Sequence, residues 1–407
     1  MAWSWETKSL APATTAAAAD GARLATLVPA PSFERAPCEI IATRRYVLSR
    51  FAYVHRDGGA MVLESPIAHA RIVLHDWRAA AIVHLLAQAR RLEDLRALVP
   101  DVADDALRAL LALLVTARMA AEATDAGGCG ADEVPSMRSW EFHDLLFHVR
   151  SRGGRHDHRV GGTYRFLGDL APPPPLAESS PMEPRFELYR PDLEHLARTD
   201  PPFARVHEAR RSVRTYGERP LTARQLGEFL YRVGRVADYW EDELHAPRGS
   251  VRLASAARPY AAGGGLYELD LYVLVQRCAD LDRGLYCYDP ERHALHEKAA
   301  ARADLEALLA DASTATGIPP GELQVLVIVA ARFQRVAWKY ASIAYSIVLK
   351  DVGVLYDTMY LVATAMGLAP CAGGCGNADL FARAAGLDYY AQTSVGEFLL
   401  GSRDLER

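Results

Sequence analysis

Cysteine is scarce and dispersed: the chain has six in 407 residues, and only Cys371 and Cys375, in CAGGC, lie close together. That argues against a disulfide framework and fits a reduced, cytosolic setting. Long apolar runs are also missing. The most continuous, 341–349, is too short to span a bilayer, and Lys350, Asp351 and Asp357 interrupt its extension. No membrane partner is expected. The formal net charge is only -5, without a dense basic block, so the balance does not point to nucleic acid either. The opening MAWSWETKSLAPATTAAAADGARLATLVPAP has neither the basic head nor the apolar core of a signal peptide, and its Ala/Thr/Pro bias reads as a flexible tail over 1–40. No G-x-G-x-x-G precedes a helix, and no repeat period stands out.

Half of the residues are hydrophobic, enough for a sizeable core, and the length suggests two or three domains at roughly 100–200 residues each. YVLSRFAYVHRDGGAMVLESP reads as two strands around Asp57-Gly58-Gly59, where glycine supplies the positive φ of a tight turn. ARIVLHD adds a strand, and amphipathic helices are expected near 76–91 and 104–122. Residues 41–125 are therefore expected to form a winged-helix-like domain, a site for peptide or partner docking or simply a packing scaffold. Residues 126–202 are expected to link it onward, ending in the proline-rich APPPPLAESSPMEP. That span carries His143, His148, His156 and His158, whose spacings match no compact zinc pattern, so no metal is expected. From 203 to 407 helix and strand alternate, with a long helix near 342–367 and a final strand in TSVGEFLLG. The implied class is mixed α+β with one long central helix.

Chemistry-bearing residues gather in four places. ARRSVRTY concentrates Arg210, Arg211, Ser212 and Arg214 before a helix, suited to a phosphate or delocalised anion but equally to a solvated basic face. RPYAAGGGLYE brings backbone amides near Ala262, Gly263 and Gly264, either to approach a flat ring or as a plain turn. Lys339-Tyr340 stands at the threshold of the long helix, as a proton-handling pair or as a snorkelling lysine beside a core tyrosine. Gly373-Gly374 follows that helix, and Arg403 ends the last strand.

The order of these elements resembles the nitroreductase-like flavoproteins, and within them the azoline dehydrogenases of ribosomal peptide maturation. The resemblance is strongest over 203–403. It implies FMN, with Arg210, Ser212 and Arg214 on its phosphate and pyrimidine side, and Arg211 as an adjacent possibility. It places Gly263, Gly264, Gly373 and Gly374 near the ring system and Arg403 on the phosphate. Lys339 and Tyr340 match the pair that aromatises a thiazoline or oxazoline, with dioxygen reoxidising the flavin. The resemblance also implies a homodimer, an azoline-containing precursor peptide as substrate and a cyclodehydratase as possible partner. The chain departs from the family's R-P-S-P-S-G-G-A-L-Y-P at Ala261 and Ala262, which removes a serine hydroxyl. It departs again after the Lys-Tyr pair, where Ser346, Lys350 and Val354 replace arginine, leucine and histidine. Two rival readings stay open: an NAD(P)H-dependent nitro or quinone reductase, and a non-catalytic scaffold of a peptide-modifying complex.

Overall fold

The computed structural model describes residues 14–17, 22–34, 38–176, 185–246 and 249–403. Contacts divide the chain into two units, Met1–Val160 and Gly161–Arg407.

In the first unit β1 (Thr14–Ala17), β2 (Arg23–Pro29), β4 (Tyr53–Asp57), β5 (Ala60–Glu64) and β6 (Ala70–Leu74) form an antiparallel sheet in the order β1-β2-β6-β5-β4, while β3 (Tyr46–Leu48) pairs with β7 (Ala120–Glu122). The tail expected over 1–40 thus contributes two strands. In RLATLVP, Leu24, Ala25 and Leu27 are buried, a short apolar strand that the Ala/Thr/Pro bias of the surrounding segment conceals. With them the sheet has five strands in place of a small wing. Helices α1 (Trp77–Leu85), α2 (Leu92–Leu98) and α3 (Asp104–Thr116) supply Ile82, Leu95, Leu107, Leu110 and Leu114 to its core. Asp76 starts α1 by accepting the Arg78 N–H at 2.8 Å.

The segment expected as a linker is structured. It holds α4 (Pro135–Arg138) and α5 (Phe142–Arg150), and the division between the units falls inside it. Residues 177–184 of its proline-rich end lie outside the described residues. Within the first unit this segment is fastened to β5 through Glu64. That carboxylate accepts from Tyr53 Oη at 2.6 Å, His55 Nε2 at 2.9 Å, and Arg150 Nη1 and His158 Nε2 at 3.3 Å each. Burial opposes the charge, but these four donors outweigh it and hold the carboxyl below its ordinary value. Of the four histidines, His158 goes to Glu64, His156 bonds the Arg152 carbonyl at 2.7 Å, and His148 lies beside Trp140. Among the described residues no cluster of three potential ligands could hold a metal ion.

The second unit opens with β8 (Gly161–Gly162), β9 (Arg185–Glu187), α6 (Leu193–Thr199), α7 (Phe203–Ala209) and α8 (Ala223–Gly234). A long hairpin, β10 (Asp238–Ala246) with β11 (Gly249–Ala257), follows. The centre is built from β12 (Leu269–Val275), β13 (Gly284–Asp289), β14 (Ala294–Lys298), α9 (Arg302–Thr316), β15 (Val325–Arg332) and α10 (Phe333–Ala337). It is completed by β16 (Tyr340–Ala341), α11 (Ala344–Ala365), β17 (Leu368–Ala372), α12 (Ala378–Ala385) and β18 (Gln392–Ser402). Seven strands pair in the order β17-β18-β15-β12-β13-β14-β9, every ladder antiparallel.

Alternation along these strands sends side chains to both faces, and both are covered. Leu271, Val273, Val327, Val329 and Phe398 meet α8 and α11 on one side. Tyr272, Leu274, Leu326, Ile328 and Leu399 meet α9 and α12 on the other. Covered on two sides, the strands read as unbroken apolar runs. Thr222 and Gln225 form a reciprocal cap at the start of α8, and Gly317 and Gly386 end α9 and α12 in the left-handed region that favours glycine. The long helix α11 lies along one sheet face, about 33 Å from end to end at 1.5 Å per residue.

Candidate active site

Lys339 and Tyr340 sit between α10 and α11 rather than on the long helix. The backbone there is clamped from one side: Tyr340–Ala341 pairs with Gly161–Gly162, and the N–H groups of Thr163 and Tyr164 both donate to the Lys339 carbonyl, at 3.0 and 3.1 Å. Ser342, at φ 63°, then turns the chain into α11. Tyr164 and Tyr267, at φ 47° and 49°, are likewise in the left-handed region. Each such conformation costs on the order of 1–2 kcal/mol and persists because its surroundings over-determine it.

The pair meets the Gly263–Gly265 turn, which closes through the Gly265 N–H on the Ala262 carbonyl at 3.1 Å. Lys339 Nζ donates to the Gly264 carbonyl at 3.2 Å and lies 5.3 Å from the centre of the Tyr340 ring. A Cβ added to Gly264 would strike the Tyr340 hydroxyl and come within 2.9 Å of Lys339 Nζ. An alanine there would have to push both side chains aside. Burial, and then the charge of Arg335, push the Lys339 ammonium below its ordinary value, which favours the neutral amine a base requires. Burial raises the Tyr340 phenol, with Tyr164 and Asp351 adding to the effect, so it stays protonated and can donate.

Two groups absent from the expected site hold this corner. Asp351 of α11 accepts the Gly263 N–H with both oxygens, at 2.8 and 3.0 Å. Arg335 is buried and donates to the carbonyls of Leu266, Ala254 and Pro173 at 3.1, 2.9 and 2.6 Å, tying the turn to the hairpin and to the start of the unit. The only hint of Asp351 in the sequence is a charge breaking an apolar run.

The arginine-rich segment lies at the other half of the same helix. Ser212 Oγ and Tyr360 Oη are 2.6 Å apart, and Tyr360 Oη also accepts the Ala372 N–H at 2.8 Å. The Val213 N–H donates to the Pro370 carbonyl at 2.8 Å, and that of Gly373 to the Glu397 carbonyl at 2.7 Å. The Gly217 N–H reaches the Ser402 carbonyl at 3.1 Å, and the Arg403 carbonyl lies 3.4 Å from where a Gly217 Cβ would stand. Arg210–Arg214, Gly373–Gly374 and Arg403 are thus brought together around β17 and the end of β18. Arg210, Arg211 and Arg214 are exposed, and among the described residues none has a carboxylate partner. Three guanidiniums left unneutralised beside one another invite an anion. Cys371 is buried and Cys375 exposed, both as free thiols. Tyr360, like Asp351, was invisible as a site residue. Along the axis of α11 the two are separated by about 14 Å.

Residues 46–157 match the family model for the cyanobactin oxidase ThcOx, and residues 208–401 match the nitroreductase family. A protein of Methanocaldococcus jannaschii classed as a nitroreductase is 31% identical over 183 residues, covering 45% of this chain and 80% of the relative. The chain belongs to the nitroreductase family. Two solved structures are also similar. A nitroreductase-type protein from Ralstonia eutropha is 20% identical, covering 58% of this chain and 95% of that one, with a TM-score of 0.41. The Escherichia coli microcin synthetase McbBCD complex, with truncated pro-MccB17 bound, gives 18% identity, 64% and 91% coverage, and a TM-score of 0.38.

As a nitroreductase-family oxidoreductase the chain uses FMN, and its residues fit that group. The unneutralised arginines beside Ser212 offer the donor set a phosphate requires, with Arg403 close by. Nothing lies within 4 Å of a Cβ built on Gly374, so the second glycine pair presents open backbone. Ala262 contributes only backbone, as its side chain demands.

Proposed function

We propose that this nitroreductase-family enzyme is an azoline dehydrogenase: it converts thiazoline or oxazoline rings in a ribosomally made precursor peptide to thiazole or oxazole, with dioxygen as final oxidant. The observation that carries the reading is the contact of Lys339 and Tyr340 with one glycine, in a chain whose N-terminal unit matches a cyanobactin oxidase. Aromatising an azoline removes a proton from one ring carbon and a hydride from its neighbour. FMN, when bound, would supply the hydride acceptor and the route for those two electrons to dioxygen. The protein must supply the base and hold the ring still.

Lys339 takes the proton as a partly desolvated amine, and the Gly264 carbonyl orients that amine. Tyr340 stays protonated and donates toward the ring heteroatom, while Arg335 and Asp351 keep the turn from shifting. Arg210, Arg211, Ser212, Arg214 and Arg403 would hold the phosphate and pyrimidine side of FMN, and Gly263, Gly264, Gly373 and Gly374 would admit its flat ring. Tyr345, Leu349 and Val354 expose apolar surface on α11, which suits a homodimer built on that helix. The N-terminal unit serves to grip the peptide or a cyclodehydratase partner.

The test is azole formation by Lys339→Ala and Tyr340→Phe with FMN retained, followed by mass spectrometry for loss of two hydrogens per ring. Each variant is expected to lose about a hundredfold or more in rate, the usual scale for a positioned acid or base. Unchanged conversion in both would sink the assignment. Steady NAD(P)H consumption without peptide would favour the reductase instead.

A further inference from the structure

Two carboxyl groups are buried under the Gly263–Gly265 turn, and the chemistry above uses neither as acid nor base. Glu268 has no exposed surface, and among the described residues no N–H or O–H donor meets either of its oxygens. Asp351 is 5% exposed and holds the Gly263 N–H with both oxygens. The two carboxyls lie within hydrogen-bonding reach of each other.

Two bare carboxylates do not abut in a buried pocket, because each charge is poorly solvated and repels the other. One proton between them removes the repulsion and turns an orphan acceptor into a donor. Asp351, already served by a backbone N–H, keeps the charge. Glu268, with no other donor, holds the proton.

The neighbouring charges do not replace that proton. Arg332, at the end of β15, lies 3.0 Å from Asp270 and donates to the carbonyls of Pro174 and Pro175 at 2.7 Å each. Arg335 of α10 donates from each of its three guanidinium nitrogens to a backbone carbonyl. Lys350 is exposed on α11, and Tyr260 is a buried neutral phenol. None of them gives Glu268 a hydrogen bond.

We propose that Glu268 and Asp351 are positioning residues which share one proton and, through Gly263, fix the turn that orients Lys339 and Tyr340. This deepens the proposed site and rests on that reading of the pair. Burial, then the Asp351 charge, push Glu268 up to about 8, while Arg332 opposes them. As pH rises through that range the shared proton leaves, the two charges repel, and Asp351 loosens its hold on Gly263. Turnover then declines on the alkaline side, while Lys339 sets the acid limb by needing to be neutral.

The experiment takes the full-length, FMN-loaded protein through the neutral-to-alkaline range by difference infrared spectroscopy. Wild type is expected to show the carbonyl stretch of a protonated carboxylic acid at neutral pH, lost on alkalinisation and missing from Glu268→Gln. Absence of that band from wild type, or its persistence in Glu268→Gln, overturns the shared proton. With an azoline peptide, Glu268→Ala is expected to lose about tenfold in kcat at unchanged KM. Glu268→Gln, which still donates to Asp351, recovers most of that loss and lacks the alkaline limb. Wild-type kcat in Glu268→Ala, or an alkaline limb retained in Glu268→Gln, overturns the positioning role. Azole formation surviving in Lys339→Ala would refute the base assignment and leave the infrared result standing, so the two readings fail separately.

Discussion

Gly264→Ala and Gly265→Ala form a matched pair that isolates one contact. Both glycines are in the left-handed region, at φ 65° and 66°. Either alanine therefore costs roughly 1–2 kcal/mol of backbone strain. Beyond the strain the two differ sharply. A Cβ at Gly265 meets nothing within 4 Å, whereas one at Gly264 strikes Tyr340 Oη and approaches Lys339 Nζ to 2.9 Å. For a domain of this size each kcal/mol lowers Tm by about 2–4 °C, so both variants are expected to melt about 5 °C early. Only Gly264→Ala must also push the phenol aside, and a displacement of about 1 Å at a reacting group costs on the order of a hundredfold in rate. The assay is thermal unfolding together with azole formation by the FMN-loaded variants. Equal rate losses in the two, or a Gly264→Ala enzyme with wild-type turnover, would refute the claim that this contact orients the pair.

Two further outcomes are expected. Glu64→Gln leaves His55, His158 and Arg150 without their charged acceptor and is expected to destabilise the first unit by about 2 kcal/mol at neutral pH, the scale of a hydrogen bond to a charged group. Because the folded carboxyl is held below its ordinary 4.5, that advantage of wild type exists above about this pH and is lost as pH falls through the depressed value. Melting curves across the acid range test it, and a gap that widened on acidification would contradict it. Ser212→Ala removes a hydroxyl 2.6 Å from Tyr360 Oη and is expected to weaken FMN binding about fivefold, near 1 kcal/mol, in a fluorescence titration. An unchanged affinity would take Ser212 out of the cofactor site.

What the sequence displays well is what repeats or stands out locally. Leu271, Val273, Val327 and Val329 lie in runs apolar enough to be read as strands, and the turn at Asp57-Gly58-Gly59 announces itself through its glycines. The arginines, the glycine pairs and Lys339-Tyr340 are also local patterns, and the structure gathers them into two clusters on one helix. Three kinds of feature stay hidden. In the β10–β11 hairpin, Glu241, Asp242 and Glu243 are exposed on β10, so that strand has no hydrophobic signature. In β1, threonine and alanine stand where larger apolar residues would have marked a strand. The facing of Glu268 and Asp351 is a tertiary fact: each is an ordinary acid in its own segment, and only the fold makes the pair.

The long helix α11 acts as a ruler for the catalytic unit. Asp351 sets the glycine turn near one end and Tyr360 sets the arginine segment near the other, with no loop between them to absorb an error. Inserting a single residue between these positions would advance the far end by 1.5 Å and rotate it by about 100°, turning one cluster away from the other. Length changes that surface loops tolerate are therefore closed to this stretch, and its residue count is as much a determinant of the site as any side chain on it.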